Sequence, residues 1–249
     1  MYPVHVPDHR LQTLGWVDAE ILDAAVRSLS AHAADLDREH AVHALDSLDE
    51  LALHEVLARG FLASGFGVHR EVPYPAQSVS KRGRRRAARS ERSRCDLVLT
   101  PGVHDELADP VRELVESDSL DGTLFAHAPT QRSHAVRPED AFWLEVKLVG
   151  QNAYSCGVPG PNRSYSSELL ASLADARKLA DDSSIARGAS LIVLFTETPE
   201  TASHDLLMAA HRGLDRGIPL SSPLVEHFSI RDRIGNHSCS VALFPVRAR

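Results

Sequence analysis

Two segments in the middle of the chain alternate apolar and polar residues with the period of a β-strand. FWLEVKLV, residues 142–149, sets Phe142, Leu144, Val146 and Leu148 on one face and Trp143, Glu145 and Lys147 on the other. CDLVLT, residues 95–100, sets Leu97 and Leu99 against Asp96 and Val98, and Pro101 and Gly102 stop it. SLIVLFT, residues 190–196, is apolar almost throughout and reads as a buried strand. A less regular extended piece covers 68–74, ended by Pro73 and Pro75, and two closing strands fall near 226–230 and 238–246. Helical spacing appears in four places. The first helix runs from a cap at Asp18 to about Leu36, with Ile21, Leu22, Ala25 and Leu29 on its stripe. The second starts at Ser47, where Ser47 and Glu50 match a capping box, and runs through Leu51, Val56, Leu57, Phe61 and Leu62 to a stop near Gly65 and Gly67. The third and fourth cover 166–181 and 200–215. Residues 1–15 read as an irregular lead-in, 103–141 as a long acidic insert with a short helix near 110–116, and 150–165 as a turn-rich connection. The order α-α-β-β-β-α-β-α-β-β predicts one α/β domain over residues 1–249, a mixed sheet with helices on both faces.

Composition narrows the class. The chain has 249 residues, 43% hydrophobic and 24% charged, a globular balance that excludes wholesale disorder and fibrous repeats. The longest apolar stretch, residues 189–195, is interrupted by Ser190 and is far short of a membrane span. The opening residues, MYPVHVPDHR, lack the order of a signal peptide. Cys95, Cys156 and Cys239 form no CxxC pair, so neither a zinc cluster nor a disulfide framework is expected, and the expected compartment is the cytoplasm.

The net charge of −7 argues mildly against a polyanionic partner until it is divided. Residues 81–94, KRGRRRAARSERSR, hold eight basic residues and one acid, a net of +7 that leaves −14 on the remainder. Lys81, Arg82, Arg84, Arg85, Arg86, Arg89, Arg92 and Arg94 thus form either a solvated loop or a phosphate-contacting arm, and the arm leads directly into the strand that bears Asp96.

The charges inside the strands ask for a reason. Burying Glu145 or Lys147 unpaired would cost roughly several kcal/mol. A same-face ion pair on a half-exposed strand is one explanation; a cleft that uses both charges is the other. If the strands of Asp96 and Glu145 are neighbours, the two carboxylates and a backbone carbonyl form a hard, oxygen-rich site suited to Mg²⁺, and a nearby lysine can orient water or stabilise phosphate charge. Glu55 shares a helical stripe with Leu51, Ala52, Ala58 and Leu62, and either completes that site or reaches water at the stripe's edge.

Other motifs lead nowhere. His54 and Glu55 begin an HExxH-like string, but position 58 is Ala. The 14 histidines are scattered. Gly65-Phe66-Gly67 lacks the third glycine of a dinucleotide loop, no phosphate-binding GxxxxGK[ST] loop or GxSxG elbow occurs, and Ser78 to Lys81 offers SxxK without partner motifs.

Glu55 on a helix, Asp96 on a strand and Glu145-Val146-Lys147 on the next strand resemble the PD-(D/E)xK nuclease superfamily, the restriction-endonuclease-like fold. The likeness covers residues 47–196, leaving a helical lead-in at 1–46 and a C-terminal extension at 197–249. It implies that Asp96, Glu145 and the Val146 carbonyl bind Mg²⁺, with Mn²⁺ as substitute, that Lys147 positions or activates water, and that Glu55 is the helical acid. It also implies that Arg177 and Lys178, on the following helix, lie near a phosphate backbone. The sequence departs from the family in having Cys95 rather than Pro before Asp96, a spacing of 49 residues from Asp96 to Glu145, and no QxxxY pattern of the RecB-like branch. Asp140, after Pro138-Glu139, is a rival aspartate too close to Glu145 to come from the preceding strand. The function this implies is a metal-dependent endonuclease acting on DNA, with a homodimer left open and no membrane partner. An inactive nucleic-acid-binding protein of the same fold, or an α/β protein whose basic tract docks an acidic partner, are the alternatives.

Overall fold

The computed structural model describes residues 15–75, 93–109, 135–155 and 157–247. In chain order its main elements are α1 (Asp18–Arg38), α2 (Glu50–Ala63), β1 (Gly67–Pro73), β2 (Arg94–Thr100), β3 (Phe142–Gly150), β4 (Asn152–Ser155) and β5 (Val158–Pro161). These are followed by α3 (Tyr165–Ser172), α4 (Ala176–Asp181), β6 (Gly188–Thr196), α5 (Pro199–Asp215), β7 (Leu224–Ser229) and β8 (Ser238–Pro245). The basic residues 81–92, the helix expected near 110–116 and Cys156 lie outside the described residues.

The alternating segments pair into one six-stranded mixed sheet in the order β1-β2-β3-β6-β8-β7. The first three strands form an antiparallel meander. β6 then lies parallel to β3, and β8 and β7 close the sheet antiparallel. A parallel neighbour needs a crossover, which α3 and α4 supply. The fold is therefore mixed α/β with helices on both sides of the sheet, as the element order predicts.

The two faces bury separate cores. On one, α1 and α2 cover Leu97, Leu99, Phe142, Leu144, Val146, Leu191 and Val193. On the other, α3 and α5 cover Ile192, Leu194, Ala242 and Phe244, and a smaller group gathers Tyr74, Val98, Trp143 and Leu179. The faces of β3 divide as the alternation predicts: Leu144 and Val146 pack under the helices, and Trp143 stacks on Tyr74 at 6.0 Å.

Three details differ from the sequence expectation. Ser47 does not cap α2. Residues Leu45–Ser47 form a 3₁₀ turn and Asp49 is the cap, accepting from the Ala52 N–H at 2.7 Å. The inward face of α2 carries Leu53, His54, Val56, Leu57, Ala58 and Phe61, while Leu51, Glu55 and Leu62 face out. Contact with α1 sets this phase: a β-carbon on Gly60 would lie 2.2 Å from Ser28 Cβ, so the helices approach closely only on that side. Finally, the helix expected over 166–181 is broken into α3 and α4, and the Ser172 hydroxyl bonds back to the Leu169 carbonyl at 2.7 Å where the first piece ends.

Candidate metal and phosphate site

The site forms where β2 and β3 part. Their ladder runs through Leu99↔Phe142, Val98↔Trp143 and Leu97↔Leu144 and stops there. One residue further on, the Val146 N–H donates to Asp96 Oδ2 at 2.7 Å, and the Cys95 thiol lies 3.2 Å from the Leu144 carbonyl. Side chains thus satisfy backbone groups that a continued ladder would have paired. β2 changes direction at the same point. Leu97 and Leu99 enter the core beneath α1 and α2, but Cys95 joins Tyr74 and Trp143 on the opposite side. Beside it, Glu71 of β1 takes a positive φ of 52°, between the pairs Arg70↔Leu97 and Val72↔Cys95. The kink leaves Asp96 directed into the gap between the strands instead of along either face.

Lys147 occupies that gap. Its ammonium lies 2.8 Å from Glu50 Oε1 of α2, 3.6 Å from Asp96 Oδ2 and 3.7 Å from Asp175 Oδ2, the residue before α4. Lys178, one turn into α4, pairs with the other Asp175 oxygen at 2.8 Å. Glu145 is 2% exposed, and the buried Tyr74 hydroxyl donates to its Oε1 at 2.5 Å. Four carboxylates from four parts of the chain therefore surround two ammonium groups.

The electrostatics follow from this crowding. Burial, and then the charge of Asp96, push the Glu145 carboxyl up to about 8; the Tyr74 hydrogen bond pulls the other way. Burial lowers the affinity of Lys147 for its proton, but the Glu50 hydrogen bond and the Asp96 charge outweigh it and hold the ammonium above its ordinary range. Lys178 shows the same balance, with Asp175 outweighing burial. Burial raises the Tyr74 phenol far above its ordinary range, with Cys95 and Glu145 adding to it.

Asp96, Glu145, Val146, Lys147 and Lys178 come together here, but Glu55 and Arg177 do not join them. Glu55 is turned outward to an ion pair with Arg70 of β1. The helical acid at the site is Glu50, more than one turn earlier, because the inward face of α2 is not the stripe that contains Leu51 and Leu62. Arg177 donates to the Arg216 carbonyl at 2.5 Å. Of the basic tract, Arg94 is described: it is exposed and donates to the Glu71 carbonyl at 3.3 Å. The other seven basic residues lie outside the described residues. The chain on either side of them is nevertheless tied together, because the Tyr74 N–H donates to the Ser93 carbonyl at 3.1 Å.

Three further residues belong to the site. His54 lies one turn after Glu50 on α2. Among the described residues, Glu50, His54 and Asp96 are the group whose ligand atoms all fall within 4.8 Å of one another. An HExxH string places the second ligand at position 58, whereas the group here takes in Glu50, four residues before His54. Tyr74 gives no sequence signal, since its pairing with Glu145 spans 71 positions. Asp175 reads in sequence as one more charge on an amphipathic helix.

Compared with known proteins, the chain matches no family model, no curated sequence and no solved structure.

Proposed function

We propose that the protein is a metal-dependent nuclease of the restriction-endonuclease-like type that hydrolyses phosphodiester bonds, with DNA as substrate. The observation that carries this reading is the meeting of Asp96, Glu145 and Lys147 at the point where two paired strands separate. The antiparallel meander, the helical crossover and the parallel β6 support the resemblance in element order and pairing.

The donor set fits a divalent cation. Carboxylates outnumber ammonium groups, Glu145 is buried and strained towards its neutral form, and the oxygens are hard ligands suited to Mg²⁺ or Mn²⁺. Asp96, Glu145 and the Val146 carbonyl would hold the ion, which supplies charge neutralisation at the phosphoryl oxygens and a nucleophile at neutral pH.

The chain's own residues do the rest. Tyr74 fixes the direction of the Glu145 carboxylate. Lys147, held in its charged form by Glu50 and Asp96, orients the attacking water and stabilises charge developing on the phosphoryl group. Glu50 and Asp175 hold the Lys147 ammonium in place from opposite sides. Lys178 and the basic tract bind the phosphate backbone, contacts that position the substrate without reading its sequence. The described residues that border 76–92 lie beside the site, since Tyr74 donates to Glu145 and its N–H donates to the Ser93 carbonyl.

The test is incubation of purified protein with DNA in Mg²⁺ or Mn²⁺. Cleavage that stops with chelator and is absent in Glu145→Ala supports the proposal; cleavage retained in Glu145→Ala overturns the site assignment.

A further inference from the structure

His54 is 2% exposed, and its Nε2 is buried with no hydrogen-bond partner. A buried histidine in a helix is ordinarily satisfied by a neighbouring carbonyl, hydroxyl or water, and an orphaned ring nitrogen calls for an explanation. The surroundings offer one. The ring lies in the group of ligand atoms within 4.8 Å that also includes Glu50 and Asp96. Glu50 and His54 are four residues apart, so the helix presents both from one face.

The present occupant of this space is informative. The Lys147 ammonium sits 2.8 Å from Glu50 and 3.6 Å from Asp96, a cation between the two carboxylates of the group. The ammonium spends its contacts on the carboxylates of Glu50, Asp96 and Asp175 and leaves His54 Nε2 without a bond; a metal ion held by Glu50 and Asp96 would take that nitrogen as a further ligand. One imidazole and two carboxylates form a mixed nitrogen and oxygen donor set. Such a set suits first-row transition dications, whereas Mg²⁺ prefers oxygen ligands and gives up its water reluctantly.

From these observations we infer that Glu50, His54 and Asp96 form a binding site for a first-row transition dication, separate from the oxygen site of Asp96, Glu145 and the Val146 carbonyl. Lys147 is its tethered competitor and withdraws from Glu50 when the ion enters. The inference stands on the geometry of α2 and β2 and does not require that the protein cleave nucleic acid.

The experiment is electron spin echo spectroscopy of the full chain loaded with Mn²⁺ in excess over both sites, together with calorimetric titration. The site gives ¹⁴N modulation from one coordinated imidazole, and that modulation disappears in His54→Gln. Glu50→Gln, a change at a half-exposed position that the fold tolerates, weakens Mn²⁺ binding at least tenfold, while Glu145→Gln keeps the ¹⁴N signal. Absence of ¹⁴N modulation in the loaded wild-type protein overturns the inference, whatever the folding of any variant. So does modulation that persists in His54→Gln, or Mn²⁺ affinity unchanged in Glu50→Gln. Since the spectrum reads the ion directly, a protein that binds Mn²⁺ through His54 but cuts nothing upholds this site and counts against the nuclease reading alone.

Discussion

The Asp96 carboxylate accepts a hydrogen bond from the backbone N–H of Val146 at 2.7 Å, standing in for the strand partner that β3 loses where β2 turns away. One side chain thereby closes the end of the ladder and presents charge to Lys147. Fold and chemistry separate on substitution. Asp96→Asn keeps an acceptor for Val146 and leaves the melting temperature near that of the wild type. Asp96→Ala leaves the N–H unsatisfied and costs about 1–3 kcal/mol. Both lose cleavage, by about a hundredfold or more if the residue holds the ion. Denaturation curves beside cleavage rates check this pair.

Glu145 makes stability depend on pH. Its folded value, about 8, lies above the ordinary carboxylate value of 4.5, so the folded state binds the proton more tightly than the unfolded chain does. The stabilisation from this group is complete below 4.5 and is lost as pH rises through about 8. In chelator, the wild-type melting temperature should therefore fall relative to that of Glu145→Gln as pH is raised across that window. Parallel profiles for the two proteins would contradict the assignment.

The helical acid offers a direct comparison. Glu55→Ala removes an exposed pair with Arg70 and should change stability by about 0.5 kcal/mol or less, with cleavage intact. Glu50→Ala frees the Lys147 ammonium from its nearest partner and should lower cleavage. Rates measured side by side decide which of the two acids belongs to the site.

The basic tract should act by neutralising phosphates. Replacing Arg84, Arg85, Arg86 and Arg89 with Gln weakens binding to DNA of unrelated sequences alike. It also flattens the plot of log affinity against log salt by roughly 0.7–0.9 for each phosphate that an arginine no longer neutralises. Fluorescence anisotropy across a salt series measures both effects.

β3 and β6 were legible because their side chains obey two clear rules: alternation where one face meets charge, and a continuous apolar run where both faces are covered. Asp96, Glu145 and Lys147 stood out for the same reason, as charges within apolar strands. The phase of α2 was not legible, since Leu51 and Leu62 are as apolar as Leu53 and Leu57 and only the approach of α1 at Gly60 selects between them. The outward phase favoured Glu55 and concealed Glu50 and His54. The β4–β5 hairpin was hidden by Gly157, Pro159, Gly160 and Pro161, which signal turns; a two-stranded ribbon outside the main sheet tolerates prolines that a central strand would not. Tyr74 and Asp175 reach the site only through tertiary packing.

The central claim is that Asp96 and Glu145 hold a divalent cation for phosphodiester cleavage. A crystal structure of the protein with Mn²⁺ and a DNA oligonucleotide, with the ion located by anomalous scattering, tests it most directly. The account predicts a peak about 2–2.5 Å from a carboxylate oxygen of each residue, with a phosphate oxygen completing the shell. Asp96 and Glu145 without an ion between them, or Mn²⁺ found at Glu50 and His54 alone, would contradict it.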